Sequence, residues 1–526
     1  MPTINKKVKL SKGFTIVELL VVIVVIGILA ALTIVSYTGL SQKAAAASLQ
    51  SDLKSASTQL EIDKANTGSY STTAGDANDG KGLPKSASTV YQYTVVGNEY
   101  YLSATSPDAG SNAYYISSSS GTVAGGVWSG HTPPAGALMT WKQISNGMYH
   151  TCAIAQDNNA YCWGRNNSSA QLGMGSTGTD SNTPLAVVKS GALSGLTIKY
   201  VSSGGDTTCA IASDDHVYCW GYATATNGAN SNVPVSYNSG ALAGKTVKTV
   251  DVGGGSICAI ASDDNAYCWG HNDYGQLGDG TISRRITPVA VNTSVLSALN
   301  GKTVKVISSG SLRTCAIASD DNAYCWGHGI NGGLGNDAIG NVSYPVAVDI
   351  SVSSGLNSKT VKAVQANGRS TCAIASDNKV YCWGYNGEYE LGNGLTAQSL
   401  VPTAVTTSSG ALNGKTVSSI YKTEFGMCAV TSDDIYACWG QNSHGEYGNN
   451  STSSQSIPIA VSRTTGLLSG KTIQSLSVSG TSSESGCLIT TEGMAYCWGN
   501  NTYGELGDSS NAQSLVPILV NQAVSQ

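Results

Sequence analysis

The sequence predicts a multidomain chain: a long N-terminal α-helix with a small antiparallel sheet, an α+β arrangement, followed by an all-β propeller of seven blades. Three observations support this prediction: an apolar stretch near the N-terminus, a unit of about 50 to 60 residues that occurs seven times, and a turn-rich composition. Glycine supplies 62 of the 526 residues, and charged residues make up 12%, against about 25% in typical soluble domains. Such a composition favours short strands joined by many turns.

The N-terminal apolar stretch, residues 14–36, follows a basic leader, residues 1–13, and contains one charged side chain, Glu18. About 20 apolar residues in a helix are enough to cross a bilayer, and the lysines of the leader place the N-terminus in the cytoplasm. A carboxylate inside a membrane helix costs several kcal/mol unless it is paired. We therefore expect Glu18 to be functional, the alternative being a plain membrane anchor with a stray glutamate.

The segment from Lys12 to Glu18, with the apolar run that follows, resembles the N-terminus of type IV prepilins and of type II secretion pseudopilins. The resemblance covers about residues 6–70. It implies that prepilin peptidase cleaves after Gly13 and methylates the new N-terminus at Phe14, and that Glu18 meets the N-terminal amine of a neighbouring subunit. The implied partners are prepilin peptidase, other pilin subunits through the N-terminal helix, and the membrane, which the chain crosses once before assembly.

Residues 37–117 are predicted to form a pilin-like α+β domain. Apolar residues at spacings of three and four indicate that the helix continues beyond the membrane. This apolar stripe consists of Leu49, Leu53, Ala56 and Leu60. Two strands are predicted at 90–96 and 99–105, on either side of a Gly-Asn turn. Residues 118–137 are rich in Ser, Gly and Pro and predict a linker to the propeller, 138–526.

Each of the seven repeats contains two cysteines ten residues apart, in two short apolar runs around a polar turn. This pattern predicts a β-hairpin with the two sulfurs on one face, within reach of a disulfide. Zinc is the competing ligand, but no pair is spaced as C-x2-C and the six histidines keep no fixed offset from the cysteines. Disulfides require an oxidising compartment, which agrees with a propeller outside the cell. The predicted pairs are Cys152 and Cys162, Cys209 and Cys219, Cys258 and Cys268, Cys315 and Cys325, Cys372 and Cys382, Cys428 and Cys438, and Cys487 and Cys497.

Trp-Gly follows the second cysteine of every repeat, and we expect this tryptophan to pack as a wedge between blades, the alternative being ligand stacking. Together with segments of the type Gly-Gln-Leu-Gly and Pro-x-x-Val, it resembles the regulator-of-chromosome-condensation repeat over about 138–520. That family forms seven-bladed propellers and implies binding through the propeller faces. The second unit lacks Gly-x-Leu-Gly. We also expect the first and last units to share a blade, because the strands at 141–145 and 517–520 each lack a counterpart.

Several function classes are disfavoured. A net charge of −5 provides no positive field for nucleic acid. We find no catalytic constellation and predict no enzyme, no catalytic residue, no cofactor and no metal site. The Ser-Asp-Asp tips of the hairpins could cluster carboxylates for Ca²⁺, but aspartate is a standard turn residue, and we expect turn chemistry there.

The leading hypothesis is a minor pilin or pseudopilin of a type IV pilus-like filament that displays an extracellular propeller for adhesion or for binding a protein or glycan. The alternative is a membrane-anchored binding or inhibitory propeller protein that does not enter a filament. Both place the chain in the bacterial membrane, with a cytoplasmic N-terminus, and at the cell surface. The loops after each Trp-Gly differ most between units, so we expect the binding face there. The candidate residues are His271, Tyr274, Arg284, Arg285, His328, Tyr385, Tyr389, His444, Tyr447 and Tyr503.

Overall fold

The chain divides into two compact units, Met1–Ala137 and Leu138–Gln526. The computed structural model describes residues 44–71, 73–96, 99–106, 113–118, 123–125, 139–222, 228–461, 467–468, 470–478 and 485–521. The leader and the predicted membrane segment lie outside the described residues, as does most of the predicted linker. None of the helices within the described ranges is long and apolar enough to cross a membrane.

The first unit combines a helix, residues 44–67, with a four-stranded antiparallel sheet. The apolar stripe of the helix is buried against Tyr100, Leu102 and other sheet residues. The helix ends where the amide of Gly68 donates to the carbonyl of Lys64 at 2.8 Å. Gly68 has φ +86°, the left-handed conformation typical of a helix C-terminus. The strands are Val90–Val96, Glu99–Thr105, Ala113–Ser117 and Ala124–Gly125, and a short helix spans Ala77–Gly80.

The second unit contains seven four-stranded antiparallel sheets, numbered here 1 to 7 in chain order. Each sheet is one continuous chain segment whose strands, a to d, follow one another in space as they do in sequence. The bounds of strands a to d are Trp141–Asn146, His150–Ala155, Ala160–Gly164 and Ser181–Ala186 in sheet 1; Ile198–Gly204, Thr207–Ala212, Val217–Gly221 and Ser231–Ser236 in sheet 2; Val247–Val252, Ser256–Ala261, Ala266–Gly270 and Arg285–Ala290 in sheet 3; and Val304–Ser309, Arg313–Ala318, Ala323–Gly327 and Val342–Ala347 in sheet 4. They are Val361–Ala366, Ser370–Ala375, Val380–Gly384 and Ser399–Ala404 in sheet 5; Val417–Lys422, Gly426–Thr431, Tyr436–Gly440 and Gln455–Ala460 in sheet 6; and Ile473–Val478, Ser485–Thr490, Ala495–Gly499 and Ser514–Leu519 in sheet 7. Two short 3₁₀ helices span Gly240–Leu242 and Ile330–Gly332.

A repeated backbone hydrogen bond joins neighbouring sheets. In sheets 1 to 6 the first residue of strand a donates to a carbonyl in the b–c turn of the preceding sheet, as Ile198 does to Asn158 at 2.8 Å. Between sheets 7 and 1 the amide of Trp141 makes the equivalent bond to Gly493 at 2.7 Å. The a strands contact one another around the centre, including those of sheets 7 and 1. The sheets therefore form a closed, propeller-like ring.

The expectation that the first and last units share a blade is wrong. Strand d of sheet 7, Ser514–Leu519, pairs with strand c of its own sheet, and strand a of sheet 1, Trp141–Asn146, pairs with strand b of its own sheet. Each repeat already supplies all four strands of a sheet, so no strand remains to be exchanged. The ring instead closes through the backbone bond from Trp141 to Gly493 and through a side-chain cluster that joins Trp141 and Trp163 to Cys487, Cys497 and other residues of sheet 7.

All seven predicted disulfides are present. In every sheet the two cysteines face each other directly across strands b and c, with Cα atoms 4.0 to 4.1 Å apart. All fourteen sulfurs are fully buried. Every bridge lies within one hairpin, so the disulfides stiffen single sheets and do not link one sheet to another.

The tryptophan after the second cysteine is the wedge between sheets that the sequence predicts. All seven are at most 1% exposed. Trp326 of sheet 4, for example, packs into the core of sheet 3, against Leu277, and its Nε1 donates to the carbonyl of Gln276 at 2.9 Å. Gln276 and Leu277 belong to the Gly-Gln-Leu-Gly segment, so this segment contacts the tryptophan of the next sheet.

The last glycine of that segment is required by the tryptophan. A Cβ on Gly278 would lie 2.6 Å from Nε1 of Trp326, and Gly278 has φ +69°. We predict that Gly278→Ala lowers the free energy of unfolding through backbone strain of about 1–2 kcal/mol and overpacking of roughly 1–3 kcal/mol. Gly301→Ala is the control, because Gly301 has φ +71° and nothing within 4 Å of its Cβ position. Denaturant unfolding measures the free energy of unfolding of both variants. An equal decrease in the two variants would contradict the packing of Trp326 against Gly278.

Candidate functional site: the arginine face of the ring

The two ends of the strands carry different side chains. At one end lie the a–b and c–d connections, and at the other the b–c turns and the d–a connections. Of the thirteen lysines in the second unit, twelve lie at the b–c and d–a end. The five arginines that the structure describes all lie at the opposite end, four of them at least partly exposed and Arg313 buried. We call these two surfaces the lysine face and the arginine face.

The lysine face is built from short ion pairs. Lys199, Lys248 and Lys305, each the second residue of a strand a, bond the aspartates at the adjacent hairpin tips at 2.5 to 2.7 Å. These side chains are about half exposed, where such pairs contribute about 0–1 kcal/mol. The Ser-Asp-Asp tips thus serve as turns and as partners of lysine. Within the described ranges, no group of three or more His, Cys, Asp or Glu side chains could hold a metal ion.

Two arginines of the arginine face lie between aromatic rings of adjacent sheets. The guanidinium of Arg369 is 4.2 Å from the ring centre of Phe425, in sheet 6, and 5.2 Å from that of Tyr385, in sheet 5. A similar sandwich surrounds Arg165, which is 4.9 Å from the ring of Tyr503 and 5.1 Å from that of Tyr149. Cation–π contacts of this kind hold the planar guanidinium in place.

Edge-to-face aromatic pairs span two further sheet boundaries. Tyr222 meets His271 at 5.8 Å between sheets 2 and 3, and Tyr274 meets His328 at 4.9 Å between sheets 3 and 4. Partial burial lowers the pKa of both His271 and His328, so both rings are favoured in the neutral form. The arginine face therefore presents rigid aromatic and guanidinium groups over several neighbouring sheets.

The predicted binding residues mostly lie on this face, with one correction. Tyr447 is fully buried in the core between sheets 6 and 7 and is wrong as a surface residue. It occupies the leucine position of the Gly-Gln-Leu-Gly segment and packs in the same buried cluster as Trp498. Arg284 and His444 are exposed. Tyr389 takes the place of the first glycine of the segment, with φ +66°.

Other predicted residues are partly buried or lie outside the structure. Arg285 is held by Asp279 at 2.8 Å. Gly13, Phe14 and Glu18, predicted for processing and assembly, lie outside the described residues. The remaining five, already placed in the aromatic contacts, are His271, Tyr274, His328, Tyr385 and Tyr503.

Sequence reasoning missed half of the aromatic and arginine cluster. Arg165 and Tyr222 stand directly after Trp-Gly, where His271, His328 and Tyr385 stand in other repeats, so alignment of the repeats would have found them. Another three missed residues lie in the a–b connections, which bend back beside the c–d connections. These are Tyr149, Arg369 and Phe425.

Comparison with known proteins identifies both parts of the chain. The prokaryotic N-terminal methylation motif matches residues 8–34. A family described as the RCC1-like domain matches residues 125–422, more than half of the chain. The chain belongs to the RCC1-like domain family. Two further matches to the regulator of chromosome condensation (RCC1) repeat cover 478–505 and 492–526.

Relatives with similar sequences include a plant receptor and a human ligase. The ultraviolet-B receptor UVR8 of Arabidopsis thaliana is 27% identical over 266 residues, which cover 50% of this chain and 57% of the receptor. The E3 ubiquitin-protein ligase HERC2 of Homo sapiens is 27% identical over 337 residues, 62% of this chain and 7% of the ligase. The match thus spans little more than half of UVR8 and a small part of HERC2.

Solved structures show the same fold. Human WBSCR16 has a TM-score of 0.55 at 17% identity, covering 64% of this chain and 84% of that one. Yeast RCC1 (Prp20), solved with Kap60, has a TM-score of 0.54 at 18% identity, covering 66% and 80%.

Three buried glutamates lie beneath the arginine face of this RCC1-like ring. Glu390, Glu446 and Glu505 take the place of glutamine in the Gly-Gln-Leu-Gly segment and are at most 3% exposed. In each, one carboxyl oxygen accepts a backbone amide at 2.8 to 2.9 Å. Burial raises the pKa of all three to about 7. Oε1 of both Glu390 and Glu505 is buried without a partner, as suits a protonated carboxyl.

We predict that these carboxyls make stability fall as pH rises. Their folded pKa of about 7 lies above the ordinary value of 4.5, so their favourable contribution is complete below pH 4.5 and is lost up to about pH 7. In the triple variant Glu390→Gln, Glu446→Gln and Glu505→Gln, this loss, on the order of 1–3 kcal/mol per site, should vanish. Unfolding of wild type and variant from pH 4.5 to 8 measures the difference. Parallel curves would contradict the prediction.

Proposed function

We propose that this chain is a minor pilin or pseudopilin that displays a seven-bladed propeller outside the cell and binds an extracellular protein or glycan through the arginine face. The methylation motif at residues 8–34 supports entry into a type IV pilus-like filament after cleavage by prepilin peptidase. The 389 residues from 138 to 526 would crowd a filament built only from this chain. A low-copy position, such as the tip, fits this bulk better.

The observation that carries the binding role is the separation of arginine from lysine. Interfaces between proteins are enriched in aromatic residues and arginine and depleted in lysine and aspartate. The arginine face has the first composition and the lysine face the second. Because Arg165 and Arg369 are already held between rings, little side-chain entropy would be lost when a partner binds.

The filament role is tested at Glu18. We predict that Glu18→Gln abolishes incorporation into filaments, because the carboxylate can no longer meet the N-terminal amine of a neighbouring subunit. Quantitative blotting of sheared filaments measures incorporation, and blotting of membranes shows whether the chain is still made. Normal incorporation of the variant would instead favour the membrane-anchored binding protein that enters no filament.

The binding role is tested by matched substitutions on the two faces. We predict that Arg165→Ala with Arg369→Ala weakens attachment of cells to their target surface roughly thirtyfold, which corresponds to the loss of about 2 kcal/mol typical of an interface hot spot. Lys305→Ala with Lys362→Ala removes the same amount of charge from the lysine face and should leave attachment unchanged. Blotting confirms equal display of both variants. Loss of attachment in the lysine variant alone would assign binding to the other face.

A further inference from the structure

A polar cavity occupies the centre of the ring, at the end next to the arginine face. Its volume is about 250 Å³, and all seven a strands contribute to its wall. The lining includes the last residues of several a strands, among them Asn146, Lys422 and Val478. At about 30 Å³ per water molecule, this volume equals that of roughly eight waters. A molecule the size of one sugar ring therefore fits in the cavity.

An ion pair crosses this cavity between sheets that are far apart in sequence. Nζ of Lys422, in sheet 6, lies 3.1 Å from Oδ2 of Asp251, in sheet 3. The same ammonium donates to the carbonyl of Ser309 at 2.6 Å, and the amide of Ser309 donates to Asp251 at 2.6 Å. The two charged side chains keep 17% and 23% exposure, so solvent reaches them. The charge is balanced within the cavity.

The rest of the wall can both donate and accept hydrogen bonds. It contains Gln365 and a set of serines, with Tyr200 and Tyr421, whereas both polar side-chain atoms of Gln143 are already bonded to the backbone of Val201. The hydroxyls of Ser309 and Ser475 are buried without a partner. Burial, and then the charge of Asp251, raise the pKa of Tyr200 to about 12, so its hydroxyl remains a donor. An unsatisfied buried hydroxyl costs free energy, and rotation of either serine side chain toward the cavity would let a ligand hydroxyl recover it.

We infer that this cavity, hereafter the channel site, binds one neutral sugar residue. A charged ligand would compete with the Lys422–Asp251 pair, whereas a neutral polyol leaves the pair intact. Oδ1 of Asp251 and the remaining N–H of Lys422 can accept from and donate to the same sugar hydroxyls. The inference rests on the proposed ligand-binding role and specifies the class of ligand.

The test uses the full chain in detergent, with free glucose, galactose, mannose and N-acetylglucosamine as probes. We expect saturation-transfer NMR to detect at least one of them, and sialic acid, which is negatively charged, to bind more weakly. The bound sugar should slow hydrogen exchange in 198–204 and 417–422 of the wild-type chain. Absence of binding by all four sugars, tighter binding of sialic acid, or unchanged exchange in these strands would each overturn the inference.

Two substitutions and a control locate the site. Asp251→Asn and Ser475→Leu, which removes a hydroxyl and fills space, should each weaken sugar binding at least tenfold. Asp321→Asn removes a carboxylate from an ion pair on the lysine face and should leave binding within about twofold. Equal affinity in all three variants would overturn the inference. If a channel variant fails to fold, the wild-type exchange measurement still decides.

Immobilised glycans and free sugars distinguish the two possible sources of the sugar, a glycan chain and a small molecule. Binding of the same sugar at the ends of immobilised glycans supports a host glycan as ligand, and binding of the free form alone supports a small molecule. Attachment of cells is measured separately. Cells that attach normally while the purified chain binds no sugar would overturn the channel site alone, whereas sugar binding without attachment would overturn only the proposed adhesive function.

Discussion

The ring depends on the contact between the Trp-Gly tryptophan of one sheet and the Gly-x-Leu-Gly type segment of the preceding sheet, which occurs at six of the seven boundaries. At the boundary between sheets 2 and 3, Trp269 stacks on Tyr237 instead. Burial of a tryptophan removes about 150–250 Å² of its surface from water. This burial stabilises the ring far more than an exposed ion pair, which contributes about 0–1 kcal/mol. Because the disulfides stay within hairpins, this contact and the a-strand bonds hold the sheets together. The tryptophan contact also sets the spacing of the c–d connections, because the segments that contact the tryptophans lie within these connections.

That spacing explains why the two faces can differ chemically. On the lysine face the tight b–c turns carry aspartates that accept hydrogen bonds from their own backbone and pair with lysine, so little of the surface at these turns varies. On the arginine face the long c–d connections bend over the sheet boundaries, so Tyr149 and Tyr503 or Tyr385 and Phe425 meet around an arginine. Variation between repeats is thereby concentrated where neighbouring sheets present it together.

Local features could be predicted from the sequence, and relations between distant sheets could not. The cysteine pairs and the tryptophan wedge follow from alternation within one hairpin. Variation between repeats in the loops after Trp-Gly predicts Tyr447 to be a surface residue, but Tyr447 stands at the repeat position of Leu277 and is buried as Leu277 is. The Lys422–Asp251 pair joins residues 171 apart and depends on the curvature of the whole ring, which no local pattern contains.

We propose that the closed ring contacts its partner through the arginine face. Hydrogen exchange tests it most directly, measured by mass spectrometry on the full chain with and without the surface fraction to which the cells attach. We expect slower exchange in the a–b and c–d connections, around Arg165 and Arg369, and unchanged exchange in the b–c turns. Slower exchange confined to the b–c turns and d–a connections would contradict it.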